Sequence, residues 1–524
     1  MKIGFFLGFQ PGVNLTTEGI SRLLAFILKE NSKQNTKMIL FCPEWLREPL
    51  KELLEDNMIK IDGFEICTTN SIPFGVKLKT KFIEKRKEKK NKPNRIYQVL
   101  KKIKSSTVNL LKHFIVDLFS TSSLLFLCFK LISYSLIFLI LSPLLIFMAL
   151  FVGLFTFVRK LMHIFKLNIF NVIKNKFLTV ANKTKGIIYQ IVIDNELNKL
   201  VRLINYRNDI DACFIPSMGW PQIKDLKCKK ILAAPDIVFY DFPTQFIGVG
   251  EIHKRIRQSI NAADKLICYS EFVKQEHLVD KCGIEPKKIT VIKHANVDMS
   301  SYLKDSSILE KHYSLQQNAK YIVSKYIQNK HQKHFFNSDL SSFEFIIYSS
   351  QYRPHKNIFN LIKAIKICNY EFHRNIKLIL TGNIIDVNYM KKYIESYHLY
   401  NDIFVMHGLP SEVLAAFNNM AKCAVNPTLF EGGFPFTFSE AYSVGTPSIM
   451  SDIPVVRHEI DNTELKDSML FDPYNPYSIA KKIVWAIDNY ETLYQSQKQL
   501  YEKFSHRDWR KVAQEYNHVF HEIH

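Results

Sequence analysis

The sequence has no HExxH pair among its seventeen histidines, no GKS or GKT phosphate loop, and no GxSxG elbow. Zinc-peptidase, P-loop and α/β-hydrolase chemistries therefore find no support. Its nine cysteines form no CxxC pair and show no even spacing, which argues for reduced, intracellular thiols and against a disulfide frame or a zinc site. No internal repeat of 20–50 residues is visible. The opening MKIGFFLGFQPG lacks a basic n-region and a long h-region, so no signal peptide is expected and the catalytic part is expected in the cytoplasm. Asp209-Ile210-Asp211 is formally a DxD metal motif, but it precedes a strand instead of following one and reads as a solvated turn.

Acidic residues are scarce where they matter. Residues 77–104 hold thirteen Lys/Arg against two Glu, and residues 159–186 hold seven Lys/Arg and no acid. These two runs carry +18 of the chain's net +21, leaving the rest nearly neutral. Between them, 28 residues from Leu131 to Val158 contain no charge, and extending back to Leu118 adds only Lys130. One membrane span needs about 20 apolar residues. Two basic flanks favour the same, cytoplasmic side, and a single crossing would split one predicted domain across a bilayer. The reading is a hydrophobic hairpin within 114–158, turning near Ser142-Pro143, with the basic runs on anionic lipids rather than nucleic acid. A buried helix pair in a soluble protein is the competing reading, but soluble helices keep a polar face and this segment has none.

A chain of 524 residues exceeds one hydrophobic core, so two domains are expected besides this insertion. KIGFFLGF, MILFC, FEICT, DACFIP, KKILAAPD, DKLICYS and ITVIKHANVD are short apolar runs separated by helical stretches, which predicts a parallel α/β sheet. A loop with Gly8 and Gly12 follows the first strand and leads to a helix expected near Thr16-Thr17-Glu18, the Rossmann arrangement for phosphate. Residues 299–341 are polar and read as a linker with some helix. A second series follows: FEFIIYSS, IKLILTG, FVMHG, CAVNPT, SIMSD and MLFDP, with a helical C-terminus. The expected division is 1–72 and 187–298 for the first Rossmann-like domain, 73–186 for the insertion, 299–341 for the linker, 342–495 for the second domain and 496–524 for a return helix anchored by Trp509.

The chemistry-bearing residues gather in the second series. SSQYRPHKN places Arg353, Lys356 and Asn357 between a strand end and a helix start, at the sheet edge where α/β proteins bind ligands. A guanidinium fork and an ammonium both suit a diphosphate. In NPTLFEGGFPFTFSEAYSVGTPSIMSD, a strand ends before Glu431, Gly432-Gly433 permit close backbone approach, a helix starts near Phe436-Thr437, and Glu440 sits in its early turns. Together they shape a site for a polyhydroxylated, phosphorylated ligand.

This run resembles the paired-glutamate signature of family 4 retaining glycosyltransferases, with eight residues between Glu431 and Glu440, and RPHKN resembles that family's Arg…Lys diphosphate clamp. HGLPSEVLAAFNNMAKCAVNPT and residues 263–298 are similar to its flanking segments, with Asn296 where glycine is usual. The resemblance implies the GT-B fold, two Rossmann-like domains facing a cleft. It implies that Glu431 contacts donor-sugar hydroxyls and Glu440 the ribose diol. Arg353 and Lys356 would neutralise the leaving diphosphate, aided by N–H groups of Phe436, Thr437 and the Gly8–Gly12 loop. No metal or other cofactor is implied. Pro235-Asp236 stands where the family carries a histidine, making Asp236 the acceptor-side candidate. The expected function is transfer of a hexosyl group, mannosyl among the candidates, from a nucleotide-diphosphate sugar to a lipid-linked saccharide, with retention, at the cytoplasmic face of the cell membrane. A nucleotide-sugar epimerase or phosphorylase, or a non-catalytic membrane scaffold, are the alternatives on the same fold.

Overall fold

The computed structural model describes residues 2–13, 15, 19–32, 38–60, 63–77, 126, 128–136, 189–246, 248–304, 314–329, 343–384 and 387–523. The chain divides into two compact units, residues 1–71 with 196–524, and residues 72–195.

The first unit contains two parallel sheets. Seven strands form the first: β1 Ile3–Phe6, β2 Met38–Cys42, β3 Phe64–Thr68, β4 Ala212–Ile215, β5 Lys229–Ala233, β6 Lys265–Cys268 and β7 Ile289–Val291, in the order β3-β2-β1-β4-β5-β6-β7. Six form the second: β8 Glu344–Tyr348, β9 Ile376–Leu380, β10 Ile403–Val405, β11 Cys423–Asn426, β12 Ser448–Ser451 and β13 Leu470–Phe471, in the order β10-β9-β8-β11-β12-β13. The central strands are buried along their whole length, as in IGFF, ACFI and CAVN. Helices on both faces account for that continuous apolar run. Strand order reverses between β1 and β4 and between β8 and β11, and ligands of such sheets bind beyond the strand ends at these reversals. Ile347 of β8 pairs with Ala424 of β11, so the RPHKN loop and the acidic loop leave the sheet side by side.

The helices that matter for the site are α1 Gly19–Ser32, α2 Leu315–Asn329, α3 Ile358–Tyr370, α4 Ser411–Met420, α5 Phe436–Tyr442, α6 Lys498–Ser505 and α7 Trp509–Glu522. The polar stretch expected to be a linker contributes α2 to the second sheet's core. Its Ala319 and Val323 are buried with Phe345, Ile347 and Phe417. Leu315, Ile322, Tyr326 and Ile327 pack beside them, so one apolar stripe seats the helix while its other face stays polar. Helix α6 packs with the second half, where Leu500 and Phe504 join Phe438 and Tyr442. The chain then returns to the first half. Phe520 lies edge-on to Phe5 of β1 at 6.4 Å, and Tyr516 to Phe214 of β4 at 5.6 Å. Trp509 stacks on Phe26 of α1 at 4.1 Å and donates from its indole N–H to the Asn296 carbonyl at 2.9 Å.

Asp209 and Asp211 brace the first strand. The Lys2 ammonium meets Asp209 at 2.7 Å, and the Lys2 backbone N–H donates to Asp211 at 2.8 Å. Neither faces the cleft described below.

In the second unit, residues 128–136 are helical and expose Phe129, Ile132 and Leu136 by 69%, 63% and 55%. Among the described residues no helix is long and apolar enough to cross a membrane. The expected hairpin turn, the rest of 114–158 apart from Phe126 and residues 128–136, the run 159–186 and all of 77–104 except Lys77 lie outside the described residues, as do Thr16, Thr17 and Glu18.

Phe520 is 1% exposed and joins the last helix to the first strand. Phe520→Ala is expected to destabilise the first half by about 3–5 kcal/mol through lost burial and the cavity left behind. Urea unfolding followed by tryptophan fluorescence measures this, and an unchanged midpoint contradicts the packing described.

Candidate active site

Two loops of the second half are stitched together by backbone-directed hydrogen bonds. Asn357, in a left-handed conformation at φ 55°, donates its carboxamide to the carbonyls of Pro427 at 2.9 Å and Pro473 at 2.7 Å. The His355 carbonyl accepts from the Leu429 N–H at 2.8 Å and the Thr428 hydroxyl at 3.3 Å. This zipper brings the Lys356 ammonium to 2.6 Å from the Glu431 carboxylate, each side chain 18% exposed. At that separation and burial the attraction is several kcal/mol before desolvation is subtracted.

A cavity of about 360 Å³ opens at this pair. Arg353, Lys356, Glu431, Gly432, Gly433, Phe436, Thr437 and Glu440 all line it, as does Asp236 from the first half. The four charged residues of the second half thus face one crevice. Glu440 is 2% exposed within α5, and the Thr437 hydroxyl accepts from Asn426 at 3.2 Å. Gly8 and Gly12 are not among the lining residues. Gly8 packs on Trp220, where a Cβ would stand 3.0 Å from the indole, and Gly12 forms a turn at φ 83°. From that end of the chain the cavity is lined by Ile20 and Leu23 of α1 instead.

Gly432 and Gly433 provide close approach, but to the other half of the protein. A Cβ on Gly432 would fall 2.2 Å from the Pro235 carbonyl oxygen, and one on Gly433 would fall 3.0 Å from the Tyr269 Cβ. At position 432 only glycine tolerates this backbone contact, and at 433 a larger residue would push on Tyr269.

Residues 329–504 match the family Glycosyl transferases group 1. The second half is a glycosyltransferase domain. Among solved structures, HepE of Anabaena in complex with UDP-glucose aligns with a TM-score of 0.56 at 13% identity, covering 100% of each chain. A glycosyltransferase of Rickettsia africae aligns with a TM-score of 0.51 at 13% identity, covering 100% of this chain and 98% of that one. These similarities identify the fold as GT-B. No curated protein matches the sequence.

The glycosyltransferase domain faces a first half whose contribution is mostly unmarked in the sequence. Burial lifts the Asp236 carboxyl above its usual range, while the Val238 N–H at 3.3 Å and the Lys356 charge pull it down. His294 lines the cavity between Tyr269 and Phe436, with ring centroids 4.2 and 4.8 Å away. Burial, with the Arg507 charge, pushes its pKa down to about 3. His355, between the two clamp cations, is pushed down to about 3 by burial, Lys356 and Arg353. Tyr269 and His294 lie within 263–298, which the sequence marked only as a flanking segment, and nothing in the sequence marked them or Phe430 as lining a cleft.

Both histidines are neutral in the fold at ordinary pH. Their folded pKa lies below the unfolded value of about 6.5, so the unfolded chain binds more protons below pH 6.5 and stability falls as pH drops toward 3. Each contributes a slope of roughly 1 kcal/mol per pH unit in that window. His294→Gln is expected to flatten the decline in melting temperature between pH 6 and 4, and an unaltered decline contradicts a buried neutral imidazole.

Proposed function

We propose that this glycosyltransferase moves a hexosyl group from a nucleotide-diphosphate sugar to a lipid-linked saccharide, with retention of configuration, in cell-surface polysaccharide synthesis. The observation that carries the reading is the shared crevice of Arg353, Lys356, Glu431 and Glu440. The two cations stabilise charge that develops on the departing diphosphate, a contribution that grows in a water-poor cleft. Glu431 accepts hydrogen bonds from sugar hydroxyls, and Glu440 from the ribose diol. Backbone N–H groups at Phe436 and Thr437 assist the phosphates. With the diphosphate neutralised by side chains, the reading invokes no metal. Asp236, in the first half, feels the charges of both Lys356 and Glu431, and the proposal gives it the acceptor side.

The acceptor and location rest on the insertion. Two basic runs flanking an apolar segment suit anionic head groups and a cytoplasmic membrane face. Four exposed large apolar side chains on the helix 128–136, Phe129, Leu131, Ile132 and Leu136, support the same reading.

Lys356→Ala is expected to lower sugar transfer roughly 10²–10³-fold, the usual cost of removing one transition-state donor, and it also leaves Glu431 unpaired. Glu431→Ala should abolish transfer. Both variants should keep the wild-type circular dichroism spectrum, and an active Lys356→Ala, Glu431→Ala double variant would sink the proposal. Thermal shifts with UDP, GDP and ADP identify the nucleotide, since ligand at 100 times its Kd adds about 2.7 kcal/mol. UDP leads that panel because HepE is in complex with UDP-glucose.

Deletion of residues 118–158 should move the protein from the membrane pellet to the supernatant after a high-salt wash, which removes attraction to anionic lipid. A deletion variant that still sediments with membranes contradicts the anchoring role.

A further inference from the structure

The acidic loop is seated residue by residue on the first half of the protein. Phe430 stacks on the buried His277 ring at 5.0 Å and 11°. Gly432 lies against the Pro235 carbonyl, and Gly433 against Tyr269 and His294. One hydrogen bond crosses from one half to the other at the centre of this seat. The Ser270 hydroxyl donates to the Gly432 carbonyl at 2.9 Å. That hydroxyl is itself oriented, accepting from the Val273 N–H at 3.2 Å, and Ser270 is 5% exposed. The same segment fixes the opposing wall. His277 Nδ1 accepts from the Ile237 N–H at 3.0 Å, and its Nε2 lies 2.9 Å from Asp241. The imidazole therefore carries its hydrogen on Nε2, toward the carboxylate.

Glu431 directly precedes the carbonyl-bearing residue of this latch, and its two glycine neighbours have no side chain to hold the loop. Backbone freedom at Gly432-Gly433 would let the carboxylate wander. We infer that Ser270 is a positioning residue of the reaction: its hydroxyl, supplied by the first half, clamps Gly432 and thereby sets Glu431 against Lys356 when the two halves close. The inference rests on the role proposed for Glu431. It adds that the sugar-holding group of one domain becomes competent only through a contact made by the other.

Ser270→Ala and Ser270→Thr in the full chain test this. The alanine variant is expected to raise hydrogen–deuterium exchange at residues 430–434. It should lower kcat for UDP release from UDP-glucose about 10–100-fold, the scale of a small misplacement of a reacting group. KM and the UDP thermal shift should stay at wild-type values, because the Arg353 and Lys356 loop is untouched. Threonine keeps the hydroxyl and should restore both exchange and kcat. Unchanged exchange in Ser270→Ala overturns the inference, as does a loss of turnover matched by an equal loss of UDP binding and not rescued by threonine. A wild-type chain that releases no UDP counts against the donor reading alone, while the exchange measurement still decides the role of Ser270.

Discussion

The Lys356–Glu431 ion pair is the constraint around which the cleft is organised. A lysine and a glutamate held 2.6 Å apart with most of each side chain out of water repay their desolvation only if geometry is tightly fixed. That fixing comes from Asn357, whose one carboxamide ties the clamp loop to two carbonyls of the neighbouring strand ends. A diphosphate brings more negative charge than one carboxylate. Under the proposed reading Lys356 then changes partner, and Glu431 turns to hydroxyl groups. The pair holds the site in shape before the donor arrives, and each member has a use once it does.

Much of the fold was legible because a parallel sheet covered on both faces writes itself as short unbroken apolar runs. MILFC and FEICT form strands over the same residues, and CAVNPT and SIMSD end within two. The charged groups of the second half were legible too, since guanidinium, ammonium and carboxylate groups beside strand ends have few structural uses. The glycines were not. Gly8 sits in a loop that fits phosphate binding by pattern, but the indole of Trp220, 212 residues away in the chain, decides its use. The Asn296 carboxamide donates to the Tyr501 carbonyl and the Ser505 hydroxyl at 2.9 Å, contacts that no local pattern announces.

Gly432 and Gly433 show the same limit in a more useful form. A glycine pair after an acidic residue suggests room for a ligand, and both residues do line the cavity. Their lack of Cβ atoms serves the meeting of the two halves, however, with Pro235 and Tyr269 occupying the space. Sequence spacing records that a backbone comes close to something. It does not record to what.

The division of labour between the halves follows from these contacts. The second half carries the cations and both glutamates, all on elements pinned to one sheet. The first half supplies few charged groups to the cavity, but it supplies the surface on which the acidic loop lies, together with a neutral, buried His294 packed beside it. A cleft lined from both halves limits water around the ion pair, and a lower local dielectric strengthens each electrostatic interaction inside it. Chemistry carried by one half and alignment aided by the other couple the carboxylate to the contact between them, since the Ser270 hydroxyl meets the carbonyl of the residue that follows Glu431.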